Sequence, residues 1–501
     1  MIKGVTSRMS FLFDYERPMT RGNYATDFSN LKDGCPFPDS ETQARNRVYN
    51  FNKKLFTGDY ANGRMLTAII DDVYQQIPYK VICLNYFKLV VNKIDSLLFS
   101  NEITIKTGDV DRDYEINRLV LKTGWLKSIR EAVKLCEIYG DCIIKTFRFG
   151  ISACSPMWGY KVVDISDKQV VKGYVLHELL YEVSENGPGT KSYTPKWIRI
   201  LISCKGFDYE RVYEYQGTAT SGTLGKPVRF KYNNRWIPRK GRYYWSGIED
   251  AETVQWLSVN TTDDGVYGSS SFKDIKDIVF TIEQRYSCDN FIVDAHGKPL
   301  LVVGMSSLKT DEQTGEYYLS TINGKYLVSK GGLDQTKAEY LTWDGKLDNS
   351  KQIRDDLQSE FYELSEMGKT FLSGEYTGQI TEESLNNLIK SAIDRGHREV
   401  NDMLHEIKKS LYVLCKLNDI DVCLEDINID FNIGRVDDAK VIAETCTVLK
   451  DCGLFSKQTL LNKFFGYSER DALAEFERIE QENRGGIYND TTGSTETVVR
   501  V

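Results

Sequence analysis

One apolar stripe in the last third of the chain constrains the fold more than any other feature. Apolar residues recur at steps of three and four from Leu385 to Leu414. This period predicts one amphipathic helix over residues 381–417, with Glu382 and Glu383 in the first turn, where the helix dipole favours acidic side chains. At 1.5 Å per residue such a helix spans about 50 Å. Its predicted length is about three times the mean for helices of globular proteins.

Composition and charge limit the class of protein. The chain has 501 residues, of which 41% are hydrophobic and 27% charged, as is typical of a globular protein with one large core or two to three ordinary ones. Its net charge of −8 argues against a protein that coats nucleic acid through a continuous basic face. The first residues lack the pattern of a secretory signal, and no apolar run reaches the roughly 18 residues of a membrane span. The sequence therefore predicts no membrane association.

Residue types that carry catalysis or bind metals are scattered. The four histidines are far apart, except that His397 and His405 share one predicted helix, and the eleven cysteines form no CxxC pair. Two acidic pairs sit in loop or helix-start positions without a partner His or Lys, and they suit capping or solvated charge better than acid/base chemistry: Asp263/Asp264 and Asp437/Asp438. We predict no catalytic residue, no metal site and no cofactor.

The first half of the chain combines helical and strand patterns. Apolar spacing predicts helices over 78–99 and 112–140, and Gly140 is placed to stop the second. From about 143 to 260 the pattern is predominantly β, with Gly, Pro and Asn turns between strands such as KWIRILISC, ERVYEYQ and PVRFKYNNRWI. These patterns predict a mixed α+β domain.

The middle of the chain places a small β unit between two helices. Helical spacing covers 271–296 and returns over 350–367. The intervening residues, 297–349, contain short strand patterns such as PLLVVG and KYLVS, separated by Gly-containing turns. We therefore expect two helices that bracket a compact β insert.

Residues 366–380, EMGKTFLSGEYTGQI, contain the last three letters of a phosphate-binding loop. Such a loop needs GxxxxGK[ST] after a buried strand, because its first glycine lets backbone N–H groups face the phosphates. Glu363 occupies the place of that glycine, and the pattern before Gly368 is helical. We therefore reject ATP binding here and interpret 368–380 as a flexible, exposed connection between two helices.

The order of these patterns, from about residue 45 to 484, resembles the portal proteins of tailed bacteriophages, which form the head-to-tail connector ring. ARNRVYNFNKKLFTGDY is similar to the family's early helix and aromatic-x-Gly segment, with Phe56 in place of the usual tyrosine. YGSSSFKDIKDIVFTIEQRYS followed by KPLLVV resembles the first stem helix entering the clip. The most specific likeness is that of VDDAKVIAETCTVLKDCGLFSKQTLLNKFFGYSERDALAEFERIEQEN to the crown, where a helix ends at a Gly and a Ser opens the next.

The resemblance implies an α+β portal fold with long helices lining a central channel. The regions expected on this basis are a wing (1–260), a first stem helix (261–296), a clip (297–349), a second stem helix (350–367), a tunnel loop (368–380), a long wing helix (381–417), a helical crown (418–484) and a disordered tail (485–501).

The resemblance also implies a structural function rather than catalysis. We expect this chain to form a ring, a dodecamer, at one capsid vertex. The ring is expected to conduct double-stranded DNA during packaging and ejection. The implied partners are terminase, neck or adaptor proteins, the major capsid protein and scaffolding protein. The implied location is the virion, with the host cytoplasm during assembly.

Two groups of residues receive roles from the resemblance. The tunnel-loop residues expected to approach DNA are Lys369, Thr370, Ser373, Glu375, Thr377 and Gln379. The clip residues expected to face the packaging motor and later the neck proteins are Glu312, Asn323 and Lys325.

Two alternatives stay open on the residues alone. The first is a different class of protein, a metal-dependent nuclease or other phosphoryl-transfer enzyme of a phage that uses scattered carboxylates. The second concerns KPVRFKYNNRWIPRKGR at 226–242, which carries seven Lys or Arg among aromatic residues. This stretch suits a nucleic-acid surface or strands with one solvated basic face, and we favour the strands.

Overall fold

The computed structural model describes most of the chain as a mixture of helices and sheets. It describes residues 25, 27–28, 31–61, 65–70, 73–185, 191–204, 206–218, 221–248, 251–261, 265–296, 300–304, 309–310, 317–318, 326–329, 339–341, 348–373, 382–433, 446–447, 450, 456–464 and 472–479. The mixed α+β class predicted from the sequence is confirmed for these residues. Among their helices, none is both long and apolar enough to cross a membrane.

The chain forms two compact units, and each unit is assembled from separate stretches of sequence. The described residues of unit 1 come from Asn50–Val90 and Ser271–Gln379. Those of unit 2 come from Met19–Tyr49, Val91–Ser270 and Ile380–Val501.

The helices vary widely in length. In chain order they are α1 (Ser40–Thr57), α2 (Tyr86–Leu98), α3 (Val110–Thr123), α4 (Trp125–Tyr139), α5 (Lys276–His296), α6 (Asp348–Leu364), α7 (Lys369–Ser373), α8 (Glu382–Leu417) and α9 (Lys457–Phe464). The hydroxyl of Ser456 accepts the backbone N–H of Thr459 at 3.1 Å and so caps α9. A serine therefore opens α9.

The long helix expected over 381–417 is confirmed as α8, which has 36 residues. Its apolar stripe is buried at Ala392, Val400, Met403, Ile407 and Leu411. This burial of one face in a continuous row is what stabilises a helix of this length against a core.

The helix predicted over 112–140 is wrong in one respect, because Gly124 divides it into α3 and α4. Gly124 has φ 65° and donates its backbone N–H to the carbonyl of Val120, which ends α3. The apolar period continues across this break, so periodicity alone did not reveal it. The predicted stop at Gly140 is confirmed, since Gly140 has φ 91° and its N–H reaches the Cys136 carbonyl at 2.6 Å.

The helix predicted over 78–99 is wrong at its start. Residues Val73–Lys80 form a strand, and α2 begins only at Tyr86. Asn85 has φ 48°, which is incompatible with a continuous helix through that residue. The helical spacing of the apolar residues Val81, Leu84 and Phe87 extends beyond the start of α2, which explains the error.

Unit 2 is built on antiparallel sheets. Its strands are β1 (Pro36–Phe37), β4 (Thr104–Lys106), β5 (Asp141–Phe147), β6 (Gly150–Cys154), β7 (Gly159–Val163), β8 (Val171–Glu185), β9 (Lys191–Cys204), β10 (Phe207–Gly217), β11 (Gly222–Val228), β12 (Phe230–Tyr232), β13 (Arg235–Ile237), β14 (Arg242–Trp245), β15 (Val254–Ser258) and β21 (Asn428–Asp430). The largest sheet has the order β1-β11-β10-β9-β8-β7, and β14 adds to β10. A second sheet has the order β15-β5-β6, and β4 pairs with β21.

The core of unit 2 forms where side chains of alternate strand positions meet. One cluster includes Phe37, Val162, Ile198 and Tyr213 on one face of the largest sheet. A second cluster joins Ile143 of β5 and Trp256 of β15 to neighbouring strands. The predominantly β reading of 143–260 is therefore confirmed.

Unit 1 contains the two helices that were expected to bracket a β insert. Between α5 and α6 lie β16 (Leu300–Gly304), β17 (Lys309–Thr310), β18 (Tyr317–Tyr318), β19 (Tyr326–Ser329) and β20 (Glu339–Leu341). Strand β16 pairs with β19 in parallel and with β20 in antiparallel orientation. Unit 1 also contains the hairpin of β2 (Met65–Ile70) and β3 (Val73–Lys80). The helix, β insert and helix pattern is confirmed.

Candidate functional site

The end of α6 is shaped by two residues in the left-handed region. The backbone N–H of Ser365 still donates to the carbonyl of Phe361 at 2.9 Å. Glu366 then has φ 55° and Gly368 has φ 68°. Because a right-handed helix cannot continue through such residues, the chain turns sharply here. The glycine of GKT thus serves a turn between helices.

The residues after this turn form a short helix, which corrects the prediction of a flexible, exposed connection. Helix α7 begins at Lys369, and the Leu372 N–H donates to the Gly368 carbonyl at 3.2 Å. The Ser373 hydroxyl donates to the Lys369 carbonyl at 2.9 Å. Met367 and Leu372 are buried at 0% and 3% exposure, so the segment is anchored rather than fully solvated. The sequence signal for this anchoring, which was overlooked, is the presence of the apolar residues Met367 and Leu372 in a mostly polar stretch.

The predicted tunnel-loop and clip residues divide into those that the structure describes and those that it does not. Lys369 and Ser373 are exposed on α7, and Thr370 is half-buried between them. Six others lie outside the residues that the structure describes: Glu375, Thr377 and Gln379 of the expected tunnel loop, and Glu312, Asn323 and Lys325 of the expected clip. The structure therefore brings Lys369, Thr370 and Ser373 together on one helical turn.

The surroundings of GKT do not form a phosphate-binding loop. Helix α6 precedes the motif where a buried strand is required, and Glu363 is exposed in its last turn. A carboxylate at that position repels phosphate. The rejection of ATP binding on the sequence pattern is consistent with this geometry.

Helices α5 and α6 are held side by side in antiparallel orientation by polar contacts. Asp289 of α5 accepts a hydrogen bond from the Ser350 hydroxyl at 2.6 Å and pairs with the Arg354 guanidinium at 3.1 Å. The guanidinium of Arg354 also lies 4.6 Å from the centre of the Tyr286 ring, in a cation–π contact. Because Asp289 and Arg354 are both mostly buried, their ion pair fixes the axial register of α5 against α6.

Aromatic residues continue the contact toward the end of α6. The Gln358 amide donates to the hydroxyls of Tyr286 and Tyr86, at 3.2 and 3.3 Å. The rings of Tyr86 and Phe361 lie 4.8 Å apart, and burial raises the pKa of Tyr86. The residues just before the α6–α7 turn are therefore fixed by packing on both sides.

A buried carboxylate on α5 organises the chain that leads into α2. Glu283 is fully buried and accepts hydrogen bonds from the Tyr60 hydroxyl and, at 3.0 Å, from the Leu84 N–H. One turn later, the Ser287 hydroxyl accepts the Ile82 N–H at 2.8 Å. Burial, and next the charge of Glu283, raise the pKa of Tyr60. These bonds tie α5 to the extended segment before α2.

Unit 2 contains a second candidate, a basic ribbon of β12 and β13. PVRFKYNNRWI was predicted as a strand, but it folds back at Asn233 and Asn234, whose φ values of 46° and 62° suit a tight hairpin turn. All seven basic side chains of 226–242 are exposed: Lys226, Arg229, Lys231, Arg235, Arg239, Lys240 and Arg242. The expectation of strands with a solvated basic face is thus confirmed in outline.

The inner face of this basic ribbon packs on the largest sheet. The Tyr232 hydroxyl donates to Glu178 at 2.8 Å, and the guanidinium of Arg199 lies 4.4 Å from the Tyr232 ring centre. The rings of Phe230 and Trp197 are 5.2 Å apart. These contacts leave the opposite face of the ribbon in solvent.

A buried cluster around Asp141 is the strongest candidate for enzymatic chemistry. The carboxylate is fully buried and accepts hydrogen bonds from the Tyr49 hydroxyl at 2.7 Å, the Trp256 indole at 2.9 Å and the Ser258 hydroxyl at 2.6 Å. Burial lowers the pKa of neighbouring Lys161 to about 8. Because donors saturate the carboxylate and burial keeps solvent away, the arrangement suits an internal anchor between strands better than a reaction centre.

A buried charge cluster joins α8 to α4. The Arg395 guanidinium contacts Glu399 at 2.6 Å and Glu137 at 3.6 Å, and all three side chains are nearly inaccessible. Sequence reasoning missed this cluster. Its signal was Arg395 itself, a charged residue on the apolar face of α8 between Ala392 and Gly396.

The residues weighed as metal ligands are not gathered into a site among those the structure describes. His397 and His405 are both exposed on α8. Within the described ranges, no group of three or more His, Cys, Asp or Glu residues has the geometry to hold a metal ion. Asp263/Asp264 and Asp437/Asp438 lie outside those ranges.

Comparisons with known proteins give only distant similarities. No protein-family model and no curated protein matches the chain. One similar solved chain comes from the "Neck of empty GTA particle computed with C6 symmetry", with a TM-score of 0.38 and 10% identity, over 74% of this chain and 87% of that one. Another comes from the "Virion of native gene transfer agent (GTA) particle", with a TM-score of 0.40 and 8% identity, over 87% and 96% of the two chains. The function is therefore argued from the residues of this chain.

Proposed function

We propose that this protein is a phage portal protein, a ring-forming channel at one capsid vertex. The observation that carries the proposal is the order of elements in 276–417: a long helix, a small β insert, an antiparallel helix, a short turn helix and a 36-residue helix. This order matches the stem, clip, stem, tunnel segment and long wing helix that the sequence resemblance implies. The polar ties between α5 and α6 support a rigid stem.

The α6–α7 turn is the segment proposed to approach DNA. Lys369 and Ser373 are exposed there, and the packed residues Phe361, Met367 and Leu372 hold the turn in place. In a ring, one such segment from each copy would face the bore. A rigidly positioned but sparsely charged contact suits a duplex that must slide.

The charge of the chain supports transport rather than tight binding. Each phosphate that a protein neutralises adds affinity through counterion release, and such affinity would retard a moving duplex. Twelve copies at −8 sum to −96, which opposes firm binding of DNA overall. A single ring of lysines, Lys369 of each copy, would relieve this repulsion locally.

The proposed partners follow from the proposed location. The clip residues, on the insert between α5 and α6, would meet terminase during packaging and neck or adaptor proteins afterwards. The wing and crown would meet the major capsid protein and scaffolding protein. The protein would assemble in the host cytoplasm and remain in the virion.

The mass of the purified protein tests this proposal directly. We expect mass photometry and negative-stain images to show closed rings many times heavier than the 57.4 kDa chain. A single chain that cleaves or transfers phosphate esters, and that loses this activity on chelation of divalent ions, would instead establish the enzymatic alternative.

A further inference from the structure

The basic ribbon concentrates positive charge that nothing nearby neutralises. The seven Lys and Arg side chains of residues 226–242, in the ribbon and beside it, are exposed, and none forms an ion pair with an acidic side chain among the described residues. Residues 215–248 contain no Asp or Glu at all. On a chain with a net charge of −8, such a patch marks a surface for an acidic partner.

The outer face of the ribbon has the composition of a protein interface. Lys231 pairs with Trp236 across the hairpin, and the Arg229 guanidinium lies 4.4 Å from the Trp236 ring centre. Trp236 is 53% exposed, although tryptophan is usually covered in a folded protein. Tryptophan and arginine are the residues that most often carry binding energy between proteins.

The ribbon is held firmly enough to present this face. Its inner face is fixed to the sheet by Tyr232 and Phe230, as described above. The loop that follows is tied to β10, because Arg211 donates to the Arg239 carbonyl at 3.0 Å and Tyr209 donates to the Lys240 carbonyl at 2.8 Å. A surface that is already ordered loses little conformational entropy on docking.

The same unit carries a matching acidic segment at residues 419–430. Residues 417–434 contain no Lys or Arg. Five acidic side chains there are exposed: Asp419, Asp421, Glu425, Asp426 and Asp430. Arg148 and Lys416 pair with the first two of these, at 3.3 and 2.6 Å. The last three have no basic partner among the described residues.

We propose that the outer face of the basic ribbon of one copy docks on the acidic segment 419–430 of the next copy. Two different, complementary surfaces on one chain produce a head-to-tail contact, which is the kind of contact that closes a ring. The inference rests on the ring assembly proposed above and assigns its contact surfaces. A protein partner is favoured over nucleic acid because the chain itself supplies the complementary acidic surface.

Paired charge reversals test this contact. The basic-reversed variant is Arg229→Glu with Lys231→Glu, and the acid-reversed variant is Glu425→Lys with Asp426→Lys. Each variant places like charges opposite each other, so we expect each alone to need at least about tenfold more protein to form rings than the unaltered chain at low salt. The difference should shrink as salt screens the charges.

Mixing the two charge-reversed variants is the decisive experiment. In an equimolar mixture every contact can again join opposite charges, so rings are expected to return to the level of the unaltered chain. A variant that merely misfolds cannot be restored in this way. Mass photometry of each variant, of the mixture and of a neutral control, Arg229→Gln with Lys231→Gln, supplies the measurement. The neutral control should fall between the unaltered chain and the basic-reversed variant.

The outcomes separate this inference from the proposed function. If the unaltered chain forms no ring, both are wrong. If the basic-reversed variant forms rings as readily as the unaltered chain, or if mixing restores nothing, the docking surfaces are wrong and the portal proposal stands. If the basic-reversed variant assembles normally but elutes from a heparin column at lower salt than the unaltered chain, the ribbon binds a polyanion instead. That outcome also overturns the inference.

Discussion

A single arginine inside unit 2 balances two buried carboxylates. Arg395, Glu137 and Glu399 are 6%, 1% and 1% exposed. Charges removed from water are tolerated only while they are paired, and loss of one partner leaves the others without compensation. The stability of the contact between α8 and α4 therefore depends strongly on Arg395.

We expect Arg395→Ala to lower the free energy of unfolding by ~3–5 kcal/mol, because it removes the guanidinium that pairs with two buried carboxylates. Urea denaturation followed by tryptophan fluorescence measures the change. The neighbouring, exposed change His397→Ala should have an effect of less than about 0.5 kcal/mol. The triple change Arg395→Met, Glu137→Leu and Glu399→Leu should recover most of the loss. Equal effects of the two single changes would contradict the assignment.

His177 couples the stability of the largest sheet to acid pH. Its ring lies 5.1 Å from Phe37 and 6.0 Å from Trp158, and burial lowers the pKa of His177 from 6.5 to about 4. The unfolded chain binds this proton below pH 6.5, whereas the folded chain resists it down to about pH 4. The stabilisation is therefore complete above pH 6.5 and is lost as the pH falls toward 4, by ~3 kcal/mol.

The variant His177→Phe should remove this part of the acid sensitivity. We expect the difference in urea midpoint between pH 7 and pH 4.5 to be smaller in His177→Phe than in the unaltered chain. His405→Phe, at an exposed position, is the matched control and should leave the difference unchanged. The same pH dependence in all three proteins would show that His177 does not titrate as argued.

The residue scale also shows why sequence reasoning did not find the buried clusters. The donors to Asp141 lie on α1 and β15, up to 117 residues away in sequence, and no local pattern reports such proximity. Arg395 was detectable, since a charge within an apolar stripe has to be paired. The exposure of Lys369 agreed with expectation, and the roles of all nine predicted site residues stay predictions.

Element boundaries depend on a few glycines with different surroundings. A Cβ on Gly140, at the end of α4, would lie 2.7 Å from the backbone of Gly268 and Ser269, and φ there is 91°. Gly108 has φ 83° but nothing within 4 Å of such a Cβ. Alanine substitutions at the two positions therefore separate two destabilising effects: that of a left-handed backbone, present at both, and that of steric crowding, present only at Gly140.

We expect Gly108→Ala to destabilise the protein by ~1–2 kcal/mol through its backbone alone. Gly140→Ala should cost a further ~1–3 kcal/mol, because a side chain there must displace packed backbone. Urea midpoints of the two variants measure both effects. Identical midpoints would mean that the contact between residues 140 and 268 relaxes without resistance.

Helices were predictable where the apolar spacing coincides with the helix, and were mispredicted where that spacing runs beyond a helix end. Helix α8 was predicted within one residue at its start, because its apolar stripe runs unbroken for many turns. The helical spacing of apolar residues extends beyond the start of α2, and it continues across the break at Gly124. The hairpin of the basic ribbon was missed because Asn-Asn is a weaker turn signal than Asn-Gly.

At the scale of the whole assembly, we expect the charge of Lys369 to affect DNA only when several copies of the chain surround a duplex. We expect Lys369→Glu to shorten the residence of double-stranded DNA in a purified ring and to weaken its salt dependence, because a ring of favourable phosphate contacts is lost. Single-channel translocation at several salt concentrations measures both. Lys127→Glu, an equal charge change at an exposed position of α4, is the control. An unaltered rate and salt dependence would exclude contact with DNA.

The interleaving of the two units also affects how the protein can be made. Helix α1 begins in a stretch of unit 2 and ends in one of unit 1, and the last described stretch of unit 1 precedes α8. A nascent chain leaving the ribosome therefore cannot complete unit 1 until residue 373 has emerged, nor unit 2 until β21 follows α8. The strands of the largest sheet meet their partners early, because the core residues of that sheet lie between Leu31 and Leu224. Helix α4, in contrast, has to leave the buried Glu137 without Arg395 until α8 has been synthesised.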